Sequence, residues 1–227
     1  MAIEATSPGL NAGGLASTDA PEQSILVACL LRMSGGFLDS YTWLSLGGVF
    51  ANSQTGNVVL LGMNLALGNW QGAAHHLPPV LAFLAGAWVA TRLNAPLVCL
   101  AGEIASLATV MLLLLLHRLP SPLAVVGMSF GVALQTATFR QVEQWRYLSV
   151  TVTGNLLRTV SPLASNDREA VRGAKTMLAT CLIFLLGAVL GGFVTSRLAE
   201  VSLFVPLGIL MFVFWVCCRP RFCRPWT

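Results

Sequence analysis

Charge is what this chain has least of. Thirteen basic and nine acidic residues make up 10% of its 227 positions, against roughly 25% in an ordinary soluble domain. Hydrophobic residues account for 56%, so the few charges could not cover the water-facing surface of a globular protein this long. Helices that face lipid need no such cover. Lysine is almost missing: Lys175 stands alone beside twelve arginines, a bias read as genomic base composition and not as a phosphate-binding signal. No basic run is interleaved with aromatics, so nucleic acid is not an expected partner. Enzyme fingerprints are also missing, with no Ser/His/Asp order, HExxH, P-loop or dinucleotide motif in the chain, and no enzymatic activity is expected. The six cysteines (Cys29, Cys99, Cys181, Cys217, Cys218 and Cys223) form no CxxC and no Cys/His cluster. They read as small lipid-compatible residues, and neither metal nor cofactor is expected. Residues 1–23 contain no basic residue, which argues against a secretory signal; their Ala, Gly, Ser, Thr and Pro content predicts a disordered tail.

What the chain has instead is a series of apolar stretches, at about 25–50, 55–68, 77–95, 97–117, 120–139, 149–163, 174–196 and 203–218. Spanning the hydrocarbon takes about 20 residues, so the second and sixth are short. Those two share a motif. The first reads Ala51-Asn-Ser-Gln-Thr-Gly-Asn-Val-Val-Leu-Leu-Gly62 and the second Ser149-Val-Thr-Val-Thr-Gly-Asn-Leu-Leu-Arg-Thr-Val160. The following stretches also match, Phe83-Leu-Ala-Gly-Ala-Trp88 with Phe184-Leu-Leu-Gly-Ala-Val189, as does the segment before each motif, more weakly, placing Gln135 opposite Asp39. Three similarities in one order argue for duplication.

Basic residues collect on the cytoplasmic side of a membrane. If the two motif stretches do not cross, then, setting aside Arg32 inside the first stretch, Arg92, Arg140, Arg146, Arg158, Arg168, Arg172, Lys175, Arg219, Arg221 and Arg224 share one side, leaving Arg118 and Arg197 on the other. Eight crossings give a weaker bias. The expected fold is therefore all-α, a polytopic transmembrane bundle of two related, inverted halves: a first repeat over 24–118, a second over 119–218 and a basic cytoplasmic tail over 219–227. Six crossings, both termini cytoplasmic and two partial Thr-Gly-Asn helices complete it. Inverted repeats with short, glycine-interrupted helices at matching positions are a recurrent transporter plan.

The segments Gly35-Gly-Phe-Leu-Asp-Ser-Tyr41 and Gln54-Thr-Gly-Asn-Val-Val-Leu-Leu-Gly62, with the second Thr153-Gly154-Asn155, resemble the YoaK-type family of bacterial membrane proteins of unknown function. The resemblance covers most of the chain from about residue 24 and implies a small multi-pass protein of the bacterial inner membrane. It implies no substrate.

A helix starting at Thr-Gly-Asn directs free N–H groups and its positive dipole end inward, where an anionic group can bind. Asn52, Gln54, Thr55, Gly56, Asn57, Thr153, Gly154 and Asn155 are the candidate lining residues; the plain alternative is that they cap the short helices or bond between helices. Asp39, with Arg32 two turns earlier as a possible partner, and Glu103 are carboxylates at membrane depth. Such groups are costly and are read either as structural pairs or as proton-coupling residues. His75 and His76 read as an interfacial loop, and Trp70, Trp88, Trp145 and Trp215 as aromatic-belt residues. Together these features predict a secondary transporter or permease for a small polar or anionic solute, with the lipid bilayer as its surroundings. A non-transporting accessory or sensory membrane protein is the alternative.

Overall fold

A computed structural model describes residues 24–139, 141–142, 145–146 and 168–219. Helix α1 spans Ile25–Ser45, its first turn capped by the Ser24 hydroxyl, which accepts from the Leu26 N–H. Gly47 and Gly48 follow in succession with φ of 91° and 74°. Side chains rarely adopt such values, and the pair turns the chain back toward the bundle.

Helix α2, Gln54–Ala66, is about 20 Å long at 1.5 Å per residue, short of a hydrocarbon layer of about 30 Å. Only Asn57 of it is buried; Val58, Val59 and Met63 face outward. Asn69 then accepts from the Gly72 N–H and starts α3, Trp70–Leu93. Helix α4 covers Pro96–Leu115 and α5 covers Ser121–Thr138. A two-residue hairpin pairs β1, Gln141–Val142, with β2, Trp145–Arg146. Helix α6 runs Arg168–Leu198, a 3-10 turn covers Ala199–Leu203, and α7 covers Phe204–Cys218. Among the described residues the fold is all-α apart from that hairpin.

Among the described residues, three helical stretches are long and apolar enough to cross a membrane by length and composition: Trp70–Leu93, Pro96–Leu115 and Val171–Cys218, the last joining α6 to α7. Helix α1 is not among them; it carries Arg32 and Asp39 along with serines, glycines, a threonine and a tyrosine, and both charged residues are buried. Outward positions are apolar instead, among them Leu84, Trp88, Val189, Phe193 and Phe212.

Among the described residues the most extensive helix packing is between α1 and α6, followed by α3 with α5 and α4 with α5. Small residues allow these approaches, as they do generally between membrane helices. A Cβ on Gly36 would collide with the Phe184 carbonyl, one on Gly187 with the Met33 carbonyl, and one on Gly191 would lie 2.7 Å from the Phe37 carbonyl. Ser40 adds a hydrogen bond across the same seam, donating to the Ala188 carbonyl at 2.8 Å. Between α3 and α5, Gly86 abuts the Phe130 carbonyl; between α4 and α5, Ser106 donates to the Gly127 carbonyl at 2.8 Å. The core beneath is apolar, built from Phe37, Leu38, Leu100, Met128, Leu203 and Leu210.

Candidate functional site

Asp39 lies on the buried face of α1 and is 5% exposed. Its Oδ1 accepts from the N–H groups of Asn52 at 2.7 Å and Ser53 at 3.2 Å, and its Oδ2 accepts from the Ser53 hydroxyl at 2.5 Å. These donors immediately precede α2. Backbone N–H groups at a helix start lack intrahelical partners and carry partial positive charge, so a carboxylate from α1 fills a position suited to an anion. Thr42, one turn further along α1, accepts from the Ala51 N–H at 3.2 Å and extends the same attachment.

Asn57 closes the loop from its other end. It is fully buried; its Oδ1 accepts from the Phe50 N–H at 2.9 Å, and its Nδ2 donates to the Phe50 carbonyl at 2.7 Å and to Gln54 Oε1 at 2.9 Å. Gln54 in turn donates to the Ala51 carbonyl at 2.9 Å. Gly56 leaves room for the Phe50 ring, which a Cβ there would meet at 2.7 Å. Thr55 is exposed. Of the residues named from the first motif, Asn52, Gln54 and Asn57 thus meet around one turn. Thr153, Gly154 and Asn155 lie outside the described residues.

Asn52 also faces a second space. A Cβ on Gly35 would come within 3.1 Å of the Asn52 amide nitrogen, so glycine admits that side chain against α1. Beside it is a cavity of about 10 Å³, bounded by Leu31, Arg32 and Gly35 of α1, by Asn52, and by Val132, Gln135 and Thr136 of α5. That is room for about one water molecule. Arg32 is 3% exposed and Gln135 is 5% exposed, so the cavity combines a buried positive charge with amides and a hydroxyl.

Glu103, on α4, is 2% exposed, and its Oε2 has no hydrogen-bond partner among the described residues. Its Cα stands 3.5 Å from the place a Cβ on Gly131 of α5 would take. The two histidines are not in a loop: α3 begins at Trp70 and carries both. His75 Nε2 lies 3.0 Å from the Gly47 carbonyl, which can only accept, so this nitrogen is the donor and ties the turn after α1 to α3. Among the described residues no group of three or more His, Cys, Asp or Glu is arranged to hold a metal ion.

The sequence pointed to Asp39 and to the Asn-Ser-Gln-Thr-Gly-Asn run but did not join them. Ser53, which makes two of the three bonds to Asp39, was overlooked although it directly precedes α2, where serine is a preferred residue. Nor did it bring Arg32 and Gln135 together, since they share no element.

Apolar helices of membrane-crossing length, with the polar side chains gathered inside, define the class: an all-α protein suited to a lipid bilayer. The chain belongs to the family described as a protein of unknown function, DUF1275, whose model matches residues 27–216. No curated protein and no solved structure matches it.

Proposed function

We propose that this chain is a small permease for a small anionic solute, in a closed state, with its site at the polar cavity between α1 and α5. The observation that carries this is the placement of buried Arg32, Asn52 and Gln135 around one water-sized space between α1 and α5. Intramembrane charges that face a cavity mark solute and ion pathways. Asn52, Gln54 and Asn57 belong to this reading as the wall that holds α2 against the site. Asp39 and Glu103 are its candidate coupling groups, and Thr153, Gly154 and Asn155 would supply the opposing wall.

Two inverted halves are part of the proposal. If α1, α3 and α4 correspond to α5, α6 and α7, the α1–α6 contact should exchange with α3–α5, and α4–α5 with α1–α7; all four pairs are in contact. Gly86 against the Phe130 carbonyl likewise answers Gly187 against the Met33 carbonyl. Six crossings, with α2 as a partial helix and both termini at the cytoplasmic face of a bacterial inner membrane, fit this exchange and the sidedness of the arginines. The YoaK-type resemblance of the first motif fits the same picture.

One observation favours the alternative of an accessory or sensory protein: the Asn52 and Ser53 donors before α2 are already taken by Asp39. Uptake by proteoliposomes offered a panel of small anions separates the two. A permease moves at least one anion faster than empty vesicles, and Asn52→Leu with Gln135→Leu lowers that rate about tenfold, the effect of losing roughly 1.4 kcal/mol of polar contact. Uptake no faster than in empty vesicles across the panel, or unaltered in the double variant, would refute the site.

A further inference from the structure

An apolar groove of about 470 Å³ runs between α4 and α7. Ala101, Ile104 and Ala105 form one wall, and Met211, Phe214 and Trp215 the other. The two alanines make it a recess, and Met211 and Trp215 are 57% and 49% exposed at its edge. Both helices belong to stretches apolar enough for a membrane, so the groove opens toward acyl chains.

One end of this groove is cationic. The Arg219 guanidinium stands 3.8 Å from the centroid of the Trp215 ring, and Trp215 is itself part of the wall. The groove uses the first half of α4 and the last turns of α7, whose final residue, Cys218, lines the groove and directly precedes Arg219. Beyond Glu200 the chain has no acidic residue, whereas Arg219 is followed by Arg221 and Arg224. Basic clusters beside membrane helices attract anionic headgroups.

We propose that the groove between α4 and α7 binds an anionic phospholipid, with an acyl chain against Ala101 and Ala105 and the phosphate held by Arg219. Stacking on Trp215 fixes the guanidinium at the groove end, which turns a diffuse attraction into a located one. A second copy of the chain suits the groove less well, because a two-fold contact through it would bring two Arg219 side chains into one interface. The proposal needs the bilayer but does not depend on transport.

The test is lipid retention by the full-length protein. The protein is equilibrated with vesicles of equal phosphatidylglycerol and phosphatidylcholine having the same chains, extracted gently and weighed by native mass spectrometry. Wild type should keep phosphatidylglycerol in preference. Arg219→Gln should reduce that preference about fivefold while total lipid stays the same, the effect of one arginine at an anionic surface. Ala105→Phe, filling the groove, should reduce retention of both lipids without changing the melting temperature; if it lowers that temperature, Ala101→Leu takes its place. Equal retention of the two lipids by wild type, or a preference untouched by Arg219→Gln, overturns the proposal. So does a dimer cross-linked through Ile104→Cys and Met211→Cys in a Cys218→Ser background.

Discussion

Asp39 and Ser53 are joined twice, the Ser53 hydroxyl donating to Oδ2 at 2.5 Å and its N–H to Oδ1 at 3.2 Å. Fourteen residues and a reversal of chain direction separate them, so the pair fixes where α2 begins relative to α1. Its consequence is mechanical: α2 has one buried residue of its own, and its position depends on this attachment. Asp39→Ala leaves two N–H groups and a hydroxyl without their acceptor, at roughly 1–3 kcal/mol for each buried donor. We expect a loss of about 3 kcal/mol in detergent unfolding and new protease cleavage between residues 46 and 53, while Ser53→Ala loses about 1 kcal/mol. An Asp39→Ala protein as stable and as protease-resistant as wild type would show that the attachment does not hold α2.

Asn57 makes a sharper case, because it uses both ends of its amide. In Asn57→Asp the carboxylate can still accept from the Phe50 N–H but now meets the Phe50 carbonyl and Gln54 Oε1, which are acceptors too. The near-isosteric change should therefore cost at least as much stability as Asn57→Ala, about 2 kcal/mol. Thermal unfolding of the two variants side by side checks the order. Asp milder than Ala would mean that the amide nitrogen bonds do not matter.

The seam between α1 and α6 supplies a matched pair of glycines. A Cβ on Gly187 would strike the Met33 carbonyl, whereas one on Gly192 meets nothing within 4 Å. Gly187→Ala should force α1 and α6 apart and lower the melting temperature. Gly192→Ala should be neutral or stabilising by up to about 1 kcal/mol, since alanine is the better helix former. Equal effects of the two substitutions would contradict the close approach of these helices.

The helices were legible because membrane spans are written as length and apolarity. Starts and ends of α4, α5 and α7 fall within two residues of the apolar stretches at 97–117, 120–139 and 203–218. Helix α3 was misjudged at its start, by seven residues. The first turns, Trp70–His76, are polar enough to fall outside the apolar stretch at 77–95, yet Asn69 caps the helix there and α3 runs on through Pro78 and Pro79, as membrane helices tolerate. That error alone put His75 and His76 in a loop. The burial of Asp39 and Glu103 followed from the rarity of charge, but their partners did not: Asp39 bonds to residues thirteen and fourteen positions away, and no local period encodes that. The cavity between α1 and α5 is a tertiary fact of the same kind, joining Arg32 to Gln135 across a hundred positions.

Glu103 allows structure and coupling to be separated. Its Oε2 has no hydrogen-bond partner among the described residues, so Glu103→Gln preserves the volume and should leave the melting temperature unchanged or raise it. Glu103→Ala opens space beside Leu100 and Leu107 in the core and should lower stability by about 2 kcal/mol. A carboxyl that carries a coupling proton must load and unload it on each cycle, and glutamine can do neither. Uptake driven by an imposed pH gradient should then fall to the rate of gradient-free exchange in Glu103→Gln, while exchange of labelled for unlabelled solute persists. If gradient-driven uptake in Glu103→Gln matches wild type, the residue carries no coupling proton. The same comparison with Asp39→Asn is less clean, because Asp39 also positions α2; its exchange rate has to be measured first, and only a variant that still exchanges can report on coupling.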